Sequence, residues 1–341
     1  MTTAPPIDVY VCTYGEKPVL HIAANTGAVT PVSGGGSTTA LAVDPHGNVY
    51  EGDVYGASPG VTKLPVGGGP PVVLTAGFAA FGVAADADGN VYAAGFRPGT
   101  GAAGGEAIKI PAAGGPPSVV WTGTNSAWDI AVDGFQNVYI LLLHPVRVVK
   151  VPAGGGAHTV YDFAGLLTGT FGNDFVSCFA VDPYGRSLYL DQSRITDDVI
   201  LKVPMNGDPA TTLGSELSGV QGIAVDASEN VYVCDAFNDR VVMIAVGSQP
   251  QVTICEAKTP VPIAIKPTRV HAWRPPDLVG RLFGAAAADG SGWLVVNGHF
   301  IPIPPRSPAL ATMLKAAARY INAAVENPEL AGQMRNMCST T

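Results

Sequence analysis

The stretch Ala-Val-Asp-Pro-His-Gly-Asn-Val-Tyr at residues 42–50 sets the pattern for most of the chain. Five variants of this motif occur, and they are AVDPHGNVY (42–50), AADADGNVY (84–92), AVDGFQNVY (131–139), AVDPYGRSLY (180–189) and AVDASENVY (224–232). Their aspartates are 42, 47, 49 and 44 residues apart, at Asp44, Asp86, Asp133, Asp182 and Asp226. A period of this length is typical of architectures in which each repeat is one supersecondary unit.

A second motif, Lys-apolar-Pro, follows four of the copies. It occupies residues 63–65, 109–111, 150–152 and 202–204, and a Gly-rich or Asn-Gly turn comes after each. Each period therefore predicts four short strands: one ending at the motif aspartate, the Asn-Val-Tyr strand, one ending in Lys-apolar-Pro, and one after the glycines. Four strands in one such period correspond to one blade of a β-propeller.

The two ends of the repeat region complement each other. Residues 7–10 (IDVY) resemble the Asn-Val-Tyr strand without the strand before it, and residues 262–267 (PIAIKP) resemble the first strand without its successor. Joined, they make a sixth blade, and the ring then has no open sheet edge. The sequence predicts an all-β, six-bladed β-propeller closed by its N-terminal strand. The alternative, an open β-solenoid, needs no complementary half-repeats.

One copy carries a family resemblance. The stretch VYVCDAFNDRVVMI (231–244), preceded by GIAVDASEN (222–230), resembles the NHL-repeat propellers and is similar to the six-bladed sensor domain of mycobacterial receptor serine/threonine kinases. The resemblance covers about residues 7–267 and implies the fold rather than one function. The blades have diverged, because the column of Asp53 and Asp235 elsewhere holds Thr13, Gly95, Leu142 and Gln192.

The repeat stops near residue 267. Residues 268–285 are predicted as a linker, and residues 286–341 as a β-hairpin, a Pro-rich segment and amphipathic helices. The hairpin turn is placed at Asn297-Gly298, which tolerates positive φ, and the first helix begins with Ser307 and Pro308. We expect the apolar helix face to pack against the propeller rim, or to dock to a partner or a second copy.

Composition limits the possible partners. Charged residues are 13% of the chain and the net charge is −8, which argues against a protein that binds the nucleic-acid backbone. The chain shows no secretory signal pattern and no apolar run long enough for a membrane span. We therefore predict a cytoplasmic protein, and we expect its five cysteines, which form no CxxC pair, to be mainly buried free thiols.

Ligands of propellers usually sit at the mouth of the central channel, where the chain enters the innermost strands. The matching column, read two residues ahead of the first motif strand, places ligand-binding residues at Thr39, Phe81, Trp128, Asp129, Ser177 and Gln221, with Val261 in the sixth blade. This set contains aromatic, hydroxyl and amide groups and one carboxyl group, which favours binding over acid–base chemistry. The alternative is that Phe81 and Trp128 only plug the channel.

No motif indicates a catalytic residue, a metal or a cofactor. The GxGxxG match at 99–104 precedes a strand pattern rather than a helix, the six histidines lack metal-ligand spacing, and the motif aspartates suit turn capping. The sequence favours a non-catalytic binding or scaffold protein for a protein or small ligand, with possible self-association through the C-terminal helix. The alternative is a metal-dependent enzyme similar to streptogramin B lyases or gluconolactonases. The position that holds the catalytic histidine in such lyases has no His in any blade of this chain, and only Asp129 and Gln221 are candidate metal ligands.

Overall fold

The structure is a computed structural model of the chain. It describes residues 5–13, 16–32, 38–56, 59–99, 104–143, 145–163, 166, 176–192, 198–245, 251–265, 283–286, 292–296 and 299–303. The chain divides into two compact units, Met1–Val270 and His271–Thr341.

The first unit is a ring of six four-stranded antiparallel blades, as predicted. With strands numbered in chain order, the first three blades are β4 (Thr38–Val43), β5 (Val49–Asp53), β6 (Gly60–Leu64) and β7 (Val72–Ala76); β8 (Ala79–Ala85), β9 (Val91–Phe96), β10 (Gly105–Ile110) and β11 (Ser118–Gly123); and β12 (Ser126–Val132), β13 (Val138–Leu143), β14 (Arg147–Val151) and β15 (Thr159–Asp162). In each, the chain starts at the strand that lines the central channel and steps outward.

The other three blades follow the same order from the channel outward. They are β16 (Phe179–Val181), β17 (Ser187–Gln192), β18 (Asp198–Pro204) and β19 (Thr211–Leu217); β20 (Val220–Val225), β21 (Val231–Asp235), β22 (Arg240–Ile244) and β23 (Val252–Glu256); and β24 (Pro260–Ile265), β1 (Val9–Thr13), β2 (Glu16–Ile22) and β3 (Val29–Val32). A short 3-10 helix, Ala236–Asn238, follows β21.

The sixth blade closes the ring with strands from both ends of the repeat region. β24 pairs antiparallel with β1, and Val9 lies opposite Ile265 while Val11 lies opposite Ile263. This pairing confirms the predicted closure. Both strands bury their apolar side chains, and Val9 and Val11 have no exposed surface.

In most blades a hydrogen-bonded aspartate organises the turn between the first and second strands. In the third blade, Asp133 Oδ1 accepts the backbone N–H groups of Phe135 and Asn137, both at 2.9 Å. Its Oδ2 accepts the Asn137 side-chain amide at 2.8 Å and the Tyr139 hydroxyl at 2.9 Å. The same set of contacts recurs at Asp44, Asp86 and Asp226. The structural interpretation of the motif aspartates is confirmed.

Two further contacts tie this turn to the outer half of the blade. The side-chain oxygen of Asn137 accepts the backbone N–H of Ala153, just beyond β14, at 3.2 Å. The ammonium of Lys150 lies 5.2 Å from the centre of the Tyr139 ring, within range of a cation–π attraction. The Asp, Asn, Tyr and Lys of the two sequence motifs therefore form one connected cluster.

The fourth blade departs from this pattern because it has one additional residue between the aspartate and the tyrosine. Asp182 Oδ2 accepts the backbone N–H groups of Arg186 and Ser187 instead. Tyr189 is fully buried, yet its hydroxyl has no hydrogen-bond partner among the described residues.

The second unit contains a three-stranded antiparallel sheet. Its strands are β25 (Phe283–Ala286), β26 (Gly292–Val296) and β27 (His299–Ile303). Val296 pairs with His299, which agrees with the hairpin predicted around Asn297-Gly298. β25 starts inside the segment predicted as a linker, and its Gly284 pairs with Leu294. The helices predicted after residue 307 lie outside the described residues.

Phenylalanine substitutions at Tyr139 and Tyr189 test the aspartate cluster. Both tyrosines are fully buried, but only Tyr139 donates to its motif aspartate. We expect Tyr139→Phe to lower the free energy of unfolding by about 1–2 kcal/mol. Tyr189→Phe should change it by less than about 0.5 kcal/mol, because no hydrogen bond to the motif aspartate is lost and the Lys202 ammonium keeps the ring face beside it. Urea denaturation measures both, and equal losses would contradict this account.

Candidate functional site

A central channel of about 1030 Å³ is enclosed by the innermost strands of all six blades. At one edge of the ring the innermost strands begin and, because neighbouring strands are antiparallel, the second strands end. We call this edge the mouth face. All the residues predicted for the site line the channel, and these are Thr39, Phe81, Trp128, Asp129, Ser177, Gln221 and Val261.

Most residues of the predicted column sit at a β-bulge. The register between the first and second strands shifts between Thr38 and Ala40 in the first blade. Equivalent shifts bracket Phe81, Trp128 and Gln221 in other blades. A bulge leaves one residue outside the ladder and redirects its side chain. The backbone thus aims these side chains differently from the rest of the strand, and their role as ligand contacts remains a prediction.

Polar atoms at the mouth link successive blades. Thr39 Oγ1 donates to the carbonyl oxygen of Ala80 in the next blade at 2.9 Å. The Trp128 indole N–H donates to the Ser177 carbonyl of the next blade, also at 2.9 Å, and Ser177 Oγ lies 2.9 Å from the carbonyl oxygen of Val220. These groups, expected to contact a ligand, therefore already hold neighbouring blades together.

Aromatic side chains form a continuous group near the mouth. The rings of Phe81 and Trp128 are stacked, with centroids 4.7 Å apart and planes 20° apart. Phe96, at the end of β9, lies 5.7 Å from Phe81. On the same face, Tyr55 and Phe237 follow the second strands of the first and fifth blades and are 77% and 75% exposed. The mouth face therefore carries a stacked aromatic group at the channel and two separate exposed aromatic side chains.

Asp129 places a carboxyl group in the same channel lining, on the residue after Trp128. Its Oδ1 accepts the Ile130 N–H at 2.8 Å, and its Oδ2 accepts the Phe179 N–H of the next blade at 3.3 Å. Oδ1 also lies 2.6 Å from where a Cβ would stand on Gly82, the residue after Phe81. Burial in the ring raises the pKa of Asp129 to about 7, against the smaller opposing effect of the two N–H donors.

A second carboxyl group, Asp191, was not predicted from the sequence. It is 1% exposed, and its Oδ1 accepts the N–H groups of Ser177 and Cys178 at 2.8 and 3.0 Å. The signal that identifies it is its column, which otherwise holds small or apolar residues, namely Cys12, Gly52, Ala94, Leu141 and Cys234. A charged residue at a position that is otherwise small or apolar indicates a role other than packing.

The contacts of Ser177 bear on the protonation of Asp191. Ser177 Oγ lies 3.0 Å from Asp191 Oδ2 and 2.9 Å from the Val220 carbonyl oxygen. A serine hydroxyl has one proton, so both contacts are full hydrogen bonds only when Asp191 is protonated and donates from Oδ2. Burial raises the pKa of Asp191 to about 7, against the opposing effect of the hydrogen bonds from Cys178 and Ser177, and the nearby Asp198 charge adds a smaller upward effect.

The channel wall is acidic. Six carboxyl groups line it, and these are Glu51, Asp53, Asp86, Asp129, Asp133 and Asp226; no Lys, Arg or His lies among the described lining residues. Within the described ranges, no three His, Cys, Asp or Glu side chains come together as a metal site. The four described cysteines, Cys12, Cys178, Cys234 and Cys255, are buried free thiols, as expected. No helix in the described part of the chain has the length and hydrophobicity to span a bilayer.

Comparison with known proteins supports the fold. No family model and no curated protein matches the chain. TolB from Acinetobacter baumannii has a TM-score of 0.57 at 11% identity, over 77% of this chain and 67% of TolB. A Bacteroides caccae protein of unknown function has a TM-score of 0.53 at 13% identity, over 76% of this chain and 98% of its own. Hydrazine synthase from Kuenenia stuttgartiensis has a TM-score of 0.52 at 12% identity, over 89% of this chain and 94% of the hydrazine synthase chain.

These identities are too low to carry more than the architecture. The neighbours share the propeller fold with this chain, and folds of this kind host unrelated functions. The NHL resemblance therefore remains a prediction from the residues that suggested it.

Replacing Asp191 by Asn tests its protonated state. Asp191 keeps its proton to a higher pH in the folded than in the unfolded chain, so its contribution to stability is complete below about pH 4 and is lost as the pH rises through about 7. Asn mimics the protonated acid at all pH values. The stability of Asp191→Asn relative to the natural protein should therefore rise by about 1–3 kcal/mol between pH 4 and pH 7.5.

Urea denaturation across this pH range measures the effect. Asp208→Asn, a substitution in an exposed turn, is the matched control and should show no such change. Parallel stability curves for the natural protein and Asp191→Asn would contradict the assignment.

Proposed function

We propose that the protein is a non-catalytic binding protein and that the mouth face contacts its ligand or partner. The observation that carries this proposal is the set of aromatic side chains on the mouth face, namely the stacked Phe81 and Trp128 at the channel and the exposed Tyr55 and Phe237 on other blades. Aromatic side chains are enriched at binding surfaces, where they dominate the energy of association.

The use of the polar groups supports binding rather than turnover. Thr39, Trp128 and Ser177 are hydrogen-bonded to the backbone of the next blade, which holds the mouth in one geometry. Preorganisation of this kind lowers the entropic cost of binding. An acid–base catalyst instead needs ionisable groups within reach of a reacting proton.

A second candidate function rests on Asp129. A carboxyl group with a pKa near 7 is suited to general acid or base chemistry at neutral pH. This favours an enzyme of the lyase or lactonase type as the alternative. Such an enzyme would need its divalent metal held by at least two more ligands beside Asp129.

Ligand-observed NMR with a library of small aromatic and polar fragments tests the binding proposal. We expect fragments that bind to lose at least about fivefold in affinity when Tyr55 and Phe237 are both changed to Ala, because the exposed rings supply contact area. The matched control is Phe135→Ala with Tyr184→Ala, since these aromatic residues are partly exposed in the motif turns at the opposite edge.

Two results would contradict the proposal. In the first, the control pair reduces fragment binding as much as the mouth-face pair. In the second, the protein with added Mg²⁺ or Ca²⁺ turns over a lactone or a streptogramin, and Asp129→Asn abolishes that turnover. The second result would establish the alternative function.

A further inference from the structure

We propose that the channel mouth binds an organic cation, an ammonium or guanidinium group, between the Phe81–Trp128 ring pair and the Asp129 carboxylate. This inference rests on the proposed binding function and specifies the chemistry of the ligand.

The first argument is the sign of the charge in the channel. Six carboxyl groups line the wall, and the described lining residues include no Lys, Arg or His. Three of them, Asp86, Asp133 and Asp226, receive hydrogen bonds in their own turns, but neutral donors do not cancel their charge. A cleft of one sign between low-dielectric walls focuses its potential and concentrates ions of the opposite sign.

The second argument is the aromatic pair. The face of an aromatic ring attracts a cation through its quadrupole, and tryptophan does so most strongly. Trp128 and Phe81 are both partly exposed within the channel lining, and Phe96 extends the same group outward. These rings also favour an organic cation over a metal ion, because Mg²⁺ and Ca²⁺ require several converging oxygen ligands.

The third argument is the position of Asp129. Asp129 follows Trp128 in the chain, and its Oδ1 lies 2.6 Å from where a Cβ would stand on Gly82, the residue after Phe81. The backbone N–H groups of Ile130 and Phe179 occupy two of its acceptor positions, and a carboxylate offers about four. Burial disfavours the charged form of Asp129, and an ammonium group over the rings would stabilise that form.

Space allows such a ligand. Small-molecule sites usually enclose about 300–1,000 Å³, and the channel offers about 1030 Å³. A cationic group could belong to a free amine or to a lysine or arginine side chain that a protein inserts into the mouth. The shared chemistry is the cation, and the experiment separates the two sources.

Isothermal titration calorimetry on the full chain provides the test. The free cations are tetramethylammonium and butylammonium, and neopentyl alcohol is a neutral analogue of similar size. CaCl₂ supplies a metal ion, and Nα-acetyl-lysine amide, which keeps its side-chain ammonium, is a peptide-like cation. We expect the organic cations to bind at least about fivefold more tightly than the neutral analogue. Tighter binding of the lysine amide than of butylammonium would indicate a protein segment as the source, and the reverse would indicate a free amine.

Two substitutions locate the site. Asp129→Asn should lower the affinity for the organic cations by about tenfold or more and change the affinity for the neutral analogue by less than about twofold. Phe81→Leu keeps an apolar side chain but removes the ring face, and it should lower the affinity for the cations by about threefold or more. Asp208→Asn, which removes the same charge from an exposed turn, should have no effect. Thermal melts establish that each variant is folded, and Phe81→Leu carries the test if Asp129→Asn does not fold.

The following results would overturn the inference. The neutral analogue or Ca²⁺ binds as tightly as the organic cations, no organic cation binds at millimolar concentration, or the variants leave cation binding unchanged. A neutral fragment that binds in a manner dependent on Tyr55 and Phe237 would leave the proposed function standing while the cation site fails. The two failures are therefore distinguishable.

Discussion

The pairing of β24 with β1 is the constraint on which the rest of this structure depends. A propeller blade packs both of its faces against neighbours, so an incomplete blade would expose two apolar faces and a strand edge. The ladder from Val9–Ile265 to Val11–Ile263 completes the sixth blade with strands from opposite ends of the repeat region. This pairing fixes the number of blades at six, and with it the width of the channel that the innermost strands enclose.

Closure also explains how the mouth is built. The innermost strands of neighbouring blades lie side by side around the channel, so a side chain displaced by a bulge can reach the backbone of the following blade. Thr39 and Trp128, at bulges, and Ser177, just before β16, hydrogen-bond across three of the blade junctions. Trp128 is also one of the two stacked rings, and Asp129 follows it in the chain. Stability and the candidate site therefore depend on one set of side chains, and changes at the mouth will affect both.

The part of the fold that depends on local spacing could be predicted from the sequence. Asp133, Asn137 and Tyr139 lie within seven residues of one another, so their cluster follows from the motif itself. The column that yields Phe81 and Trp128 follows from aligning the copies. The fourth blade shows the limit of this approach, because one additional residue after Asp182 moves Tyr189 out of reach of its aspartate.

Other features depend on contacts between blades, which the spacing of a motif does not encode. The indole N–H of Trp128 finds its acceptor 49 residues away. Burial in the folded ring raises the pKa of Asp191, and Ser177 links this group to the Val220 carbonyl oxygen of the next blade. The acidic character of the channel is also not encoded by one motif, because it arises from six carboxyl groups that the described part of the ring brings together from four blades.

Native-state hydrogen exchange of the propeller backbone tests the central claim, that closure through the sixth blade holds the whole ring. If the ring opens only as a unit, the slowest amides of β1 and β24 will exchange with the same opening free energy as the slowest amides of β12 and β20. That free energy will equal the global free energy of unfolding. Exchange of β1 and β24 through a separate opening of lower free energy, with the other blades still protected, would contradict the claim.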